Sequence, residues 1–167
     1  MNMINKFFKL FKIYEYLVLL LLVLVLPCLI EINHRINFVY ILLTNNYITL
    51  IINVCFFLIM YKKVQIFNTL KYQVITRMTR KKFTLIIHFF ATFTSLIFII
   101  LLYSFLLIMY GSREMSFILF VLLMINTIFF LVLTNVIFLQ FNRKQNILFV
   151  LIPILLNFAY HYIFYVH

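Results

Sequence analysis

Long apolar runs recur along the whole chain, divided by short polar stretches, and none alternates polar with apolar residues. Leu17 to Leu26 and Phe83 to His88 are continuous in this sense. A continuous run of about twenty apolar residues is long enough to cross a bilayer as a helix, whereas a membrane barrel strand alternates. The pattern predicts an all-α, polytopic transmembrane helical bundle of five spans, at residues 14–30, 38–61, 83–110, 116–139 and 147–166, forming one domain over residues 1–167. The second span is interrupted by Thr44-Asn45-Asn46, a polar triplet expected to divide it into an interfacial turn and a shorter helix. The third exceeds what a bilayer needs and must tilt or protrude. Pro153 is a candidate kink in the last.

Composition agrees: 67% of the 167 residues are hydrophobic and 10% are charged, with a mean hydropathy of +1.18. In a soluble protein a net charge of +11 would suggest nucleic acid. Here the charge is ordered by topology, and no nucleic-acid partner is expected. With the N-terminus inside, Lys6, Lys9, Lys12, Lys62, Lys63, Lys71, Arg77, Arg80, Lys81, Lys82, Arg143 and Lys144 all fall on the cytoplasmic side. They are twelve of the fourteen basic residues, and Arg35 and Arg113 remain outside beside Glu31 and Glu114. The expected location is the bacterial cytoplasmic membrane, with the lipid bilayer as the first partner.

Between the second and third spans, residues 62–82 form the one long polar stretch. On a helix, Phe67, Leu70, Val74, Ile75 and Met78 share one face, and Gln65, Thr69, Gln73, Thr76 and Arg80 the other. The segment is expected to lie along the inner leaflet. Its plain role is lipid anchoring, with Arg80-Lys81-Lys82 marking the entry of the third span. Its sharper role is a docking surface.

Catalysis finds little support. The single glycine, Gly111, excludes a phosphate-binding loop and a dinucleotide fingerprint, which need several. Glu15, Glu31 and Glu114 lie at span boundaries without an acidic neighbour, and Glu15 reads as an interfacial residue paired with a lysine. His88 and His161 lie at depths of roughly 8 and 21 Å from the cytoplasmic side by helical rise, too far apart to share a haem iron. No enzyme activity, metal or cofactor is expected. Cys28 and Cys55 read as small hydrophobes inside spans.

Polar residues within the spans are the candidate sites: Asn53, Asn126, Thr127, Thr134, Asn135, Asn157 and His161. Pro153, Asn157 and His161 recur every four residues and share a face expected to look inward. Asn126 and Asn135, nine apart, leave a helix on nearly opposite sides, so the fourth span is expected to meet polar partners in two directions. Interhelical hydrogen-bond glue and a substrate path are the two readings of this set.

The stretch Tyr72-Gln73-Val74-Ile75-Thr76-Arg77-Met78-Thr79-Arg80-Lys81-Lys82-Phe83 resembles a pattern in the permease subunits of bacterial type-2 ATP-binding-cassette exporters. There a helix between spans two and three runs through an Arg and a basic cluster into span three. The resemblance implies that Val74, Arg77, Met78, Arg80 and Lys81 couple to a separate ATPase subunit. It also implies that two such subunits associate to move a peptide or hydrophobic substrate outward. Family members usually have one span more, so either a span is absent or the chain is a reduced relative. The alternatives are an accessory or immunity membrane protein with no transport of its own, and an organelle-encoded subunit of a respiratory complex.

Overall fold

The computed structural model describes residues 13–29, 37–75, 79–111, 115–141 and 146–166. Among them the secondary structure is helical throughout. The elements are α1 (Ile13–Leu29), α2 (Phe38–Thr44), a π-helical turn (Ile48–Ile52), α3 (Asn53–Ile75), α4 (Arg80–Tyr110), α5 (Phe117–Phe138) and α6 (Leu148–Val166). Three stretches among the described residues, Ile48–Thr69, Arg80–Tyr110 and Phe117–Phe138, are long and apolar enough to cross a membrane. Leu148–Phe164 is a shorter apolar helix.

Phenylalanine fills the centre, where α3, α4 and α5 meet. Phe56 stacks on Phe98 with centroids 4.3 Å apart, and Phe57 on Phe130 at 5.0 Å. Offset and edge contacts of this kind add to the area that the rings bury. Thr94 and Ser95 are buried in the same region and return their hydroxyls to the Phe90 and Ala91 carbonyls of their own helix. They therefore ask nothing of the neighbouring helices.

The outside is apolar as well. Phe117, Ile118, Ile128 and Val132 of α5 stand exposed, as do Leu17, Val18, Leu20, Leu21, Leu24 and Val25 of α1. A soluble monomer rarely shows so continuous an apolar surface, whereas hydrocarbon solvates it without cost.

Two boundaries differ from the sequence reading. α3 does not stop at Tyr61, the expected end of the second span, but runs unbroken to Ile75. No glycine or proline interrupts it there, and Lys63, Val64 and Phe67 are buried rather than set on a surface helix. Phe67 meets Phe90 edge-on at 5.2 Å, so the stretch belongs to the bundle. The third helix starts at Arg80 rather than Phe83, with Thr79 in extended conformation before it. At 31 residues α4 is about 46 Å long by helical rise, well beyond the roughly 30 Å of a hydrocarbon core.

Gly111 ends α4. Its N–H donates to the Leu107 carbonyl at 2.9 Å, and its own carbonyl accepts from the Phe38 N–H that opens α2, at 3.4 Å. The backbone there, φ 78° and ψ 174°, lies in a region that essentially only glycine enters. A Cβ at this position would meet no atom within 4 Å. Gly111→Ala is therefore expected to cost backbone strain alone, about 1–3 kcal/mol of unfolding free energy in mixed micelles. Gly111→Asn should cost the same, because the left-handed helical conformation that asparagine tolerates is not the one used here. A full rescue by Asn would contradict this.

Candidate functional site

The second span is not one helix, and its break organises the polar residues around it. α2 stops at Thr44, whose hydroxyl turns back to the Tyr40 carbonyl at 2.9 Å. Asn45 follows in extended conformation, φ −78° and ψ 115°. Its Oδ1 accepts the N–H of Tyr47 at 2.9 Å and of Ile48 at 3.2 Å, which makes Asn45 the N-cap of the next helical stretch. The triplet thus interrupts the span where the sequence places the interruption.

Breaking a helix strands carbonyls, and in an apolar bundle each needs a partner. The N–H of Tyr47, four residues after Leu43, is taken by the Asn45 side chain, and His161 Nδ1 lies 2.8 Å from the Leu43 carbonyl oxygen. A carbonyl only accepts, so Nδ1 bears the proton. One turn later the π-helical turn repeats the problem. The Asn53 N–H bonds to the Ile48 carbonyl, five residues back, instead of that of Thr49. The Thr49 carbonyl receives Asn157 Nδ2 at 3.2 Å. Asn157 Oδ1 in turn accepts from Asn53 Nδ2 at 3.2 Å.

Asn157 and His161, four apart on α6, thus close two gaps in the backbone of the opposite element. Both are buried, as is Pro153 one turn before, so this face of α6 looks into the bundle. Tyr160 holds α6 from the flank by stacking on Phe129 of α5, centroids 4.5 Å apart. Cys55, half-buried near the same turn of α3, is a free thiol.

Asn126 and Asn135 of α5 behave differently from expectation. Both find their partners on α4. Asn126 Nδ2 donates to the Tyr103 hydroxyl at 2.8 Å, which continues to Thr127 Oγ1 at 3.2 Å and from there to the Leu123 carbonyl at 2.8 Å. Asn135 Nδ2 donates to Thr92 Oγ1 at 3.2 Å and to the Leu131 carbonyl at 2.9 Å. Its Oδ1 then accepts from His88 Nδ1, 3.1 Å away. Helical spacing fixes where an amide leaves its own helix, but Tyr103 and His88 are long enough to bring one neighbour to both. Thr134 is buried and bonds only the Phe130 carbonyl of its own helix.

At the other end of the bundle Glu15 of α1 and Lys63 of α3 form a buried ion pair, 5% and 1% exposed, and Lys62 lies 3.5 Å from the second carboxylate oxygen. The pairing of Glu15 with a lysine follows the sequence reading, while its depth does not. Of the residues implied in coupling, Arg80 and Lys81 are exposed at the start of α4. Val74 lies in the last turn of α3 with its side chain outside the described set, and Arg77 and Met78 lie outside the described residues.

Among the described residues no group of three or more His, Cys, Asp or Glu is placed to hold a metal ion. Two helical cavities define what this architecture offers to a ligand. One, of about 440 Å³, lies beside the break and is lined by Asn46, Thr49, Phe158, Ala159, His161 and Tyr162. The other, of about 360 Å³, is an apolar groove between Leu19–Leu24 of α1 and Thr94–Ile108 of α4.

The class defined by these features is an all-α bundle with helices able to cross a membrane and one discontinuous helix latched by side chains. No family model, curated protein or solved structure matches the chain.

Proposed function

We propose that this chain is a five-span protein of the bacterial cytoplasmic membrane, N-terminus inside, serving as the membrane-spanning subunit of an export system driven by a separate ATPase. The observation that carries the reading is the unbroken run of α3 to Ile75, followed within a few residues by α4 at Arg80. Two helices of the bundle thus continue past the Glu15–Lys63 pair, where they bear the exposed basic cluster Arg80-Lys81-Lys82. Helices that run on from spanning segments can transmit motion from a cytoplasmic partner, and a separate surface helix does so less directly. The basic residues favour this end as the inner one. The latched break supplies a place within the spans where two packings can interconvert, since side-chain bonds to backbone and amide groups hold it in place of a continuous helix.

Two measurements test the reading. In a chain whose own cysteines are replaced by serine, Gln73→Cys should be labelled only from the cytoplasmic side and Arg113→Cys only from outside. The reverse pattern overturns the orientation. Arg80→Glu with Lys81→Glu should reduce copurification of an ATPase subunit by about tenfold or more, the size expected when charges of an interface are reversed, while insertion is unaffected. A chain that inserts with the expected orientation yet brings down no ATPase is instead an accessory or immunity protein.

A further inference from the structure

Of the two cavities, the one beside the break presents hydrogen-bonding groups that the fold does not use. His161 is 6% exposed, and its Nδ1 proton is committed to the Leu43 carbonyl. In the neutral imidazole this leaves Nε2 as a bare acceptor, and Nε2 has no hydrogen-bond partner among the described residues. Facing the same space, Thr49 has committed its hydroxyl proton to the Asn46 carbonyl at 3.1 Å, so it too can only accept. Asn46 is the opposite case. Its exposed side-chain amide makes no bond among the described residues and can donate as well as accept. The remaining walls, Phe158, Ala159 and Tyr162, are apolar or aromatic, and among the described residues no charged side chain lines the cavity.

Among the described residues the pocket thus offers two acceptors, one side-chain amide, the Tyr162 hydroxyl and otherwise apolar walls, a lining that suits a neutral molecule. The complement of an acceptor and a donor that line one cavity is a group that carries both, and the commonest such group in a peptide is a secondary amide. The volume of about 440 Å³ falls in the range of sites that enclose small organic ligands. We infer that the cleft between α6 and the broken helix binds uncharged apolar molecules through a secondary amide, the chemistry of a hydrophobic peptide. The ligand N–H donates to His161 Nε2 and its carbonyl accepts from Asn46 Nδ2, while its apolar part lies on Phe158 and Tyr162. This rests on the export reading only for its biological meaning, because the binding itself needs no ATPase.

The test uses the full chain in lipid nanodiscs with histidine labelled by nitrogen-15, and two uncharged probes of matched shape: N-hexylacetamide and hexyl acetate. The His161 imidazole should show Nδ1 protonated and Nε2 bare. N-hexylacetamide should move the Nε2 resonance to saturation and raise the thermal midpoint. The ester lacks the N–H and should bind at least about tenfold more weakly, since a site with an unmet polar group discriminates strongly on that group. His161→Asn retains a donor near the Nδ1 position for Leu43 and removes Nε2; it should unfold close to the wild-type temperature and lose the amide's stabilising effect. Asn46→Leu, at an exposed position, should weaken amide binding as well, and keeps the question open to measurement if the His161 variant does not fold. Equal effects of amide and ester, a protonated Nε2, or unchanged amide binding in either folded variant would overturn the proposal. ATPase copurification without amide binding would sink the cleft and leave the export reading. Amide binding without an ATPase would do the reverse.

Discussion

Lys63→Met should lower the unfolding free energy by about 3–5 kcal/mol, the range found when one partner of a buried ion pair is removed. The loss comes from the group left behind. Glu15 is 5% exposed on α1, and without the Lys63 ammonium its carboxylate is desolvated with, among the described residues, only Lys62, 3.5 Å from one oxygen, to compensate. Lys62 is itself 54% exposed, so its attraction is weakened by water and salt and the cost stays near the lower end of that range. The double variant Glu15→Gln/Lys63→Met removes both charges and should recover all but about 1 kcal/mol, because a neutral amide beside a thioether leaves no buried ion. Equilibrium unfolding in mixed micelles provides the measurement. If the double variant is as unstable as Lys63→Met alone, the pair holds α1 by packing and not by charge.

Asn157→Leu is the second large effect, expected at about 2–4 kcal/mol. The amide closes two bonds, one to the Thr49 carbonyl and one from Asn53, each at 3.2 Å, and Leu fills the volume without satisfying either. Interhelical bonds in membranes are individually worth about 1 kcal/mol, so most of the cost lies in the stranded Thr49 carbonyl and the buried Asn53 amide. Adding Asn53→Leu removes one of the two orphans. The pair should therefore be destabilised by less than the sum of the single variants, a coupling a double-mutant cycle resolves. Strict additivity would mean that Asn53 and Asn157 do not share a bond in the folded protein.

The helices themselves were written plainly in the sequence, because hydrocarbon-length apolar runs leave few alternatives. The break was written there too, in Thr44-Asn45-Asn46, since a short polar side chain that can cap a helix inside an apolar run has little other use. The latch was legible by half. Asn157 and His161 stand out as polar residues on one face of the last span, but their partners are main-chain carbonyls of Thr49 and Leu43, and no side chain announces a free carbonyl. Likewise the π-helical turn, three isoleucines, Leu50 and Thr49, has no proline or glycine to mark it. The burial of Lys63 within an unbroken α3 was not legible, because Lys62-Lys63 reads as an exposed basic pair until Glu15, distant in sequence, is known to pair with it. Gln140 shows the same limit. It follows the last predicted residue of the fourth span, yet it is fully buried, with neither amide atom partnered among the described residues. Length alone cannot say that the bundle extends past the apolar run.

The ion pair that holds α1 also has a history in the making of the chain. Glu15 precedes Lys63 by 48 residues, so during synthesis the first helix is made well before its buried partner. The ion pair with Lys63 can form only after α3 has been made. A chain truncated before Lys63 is therefore expected to leave Glu15 without its buried partner and α1 without this contact to α3.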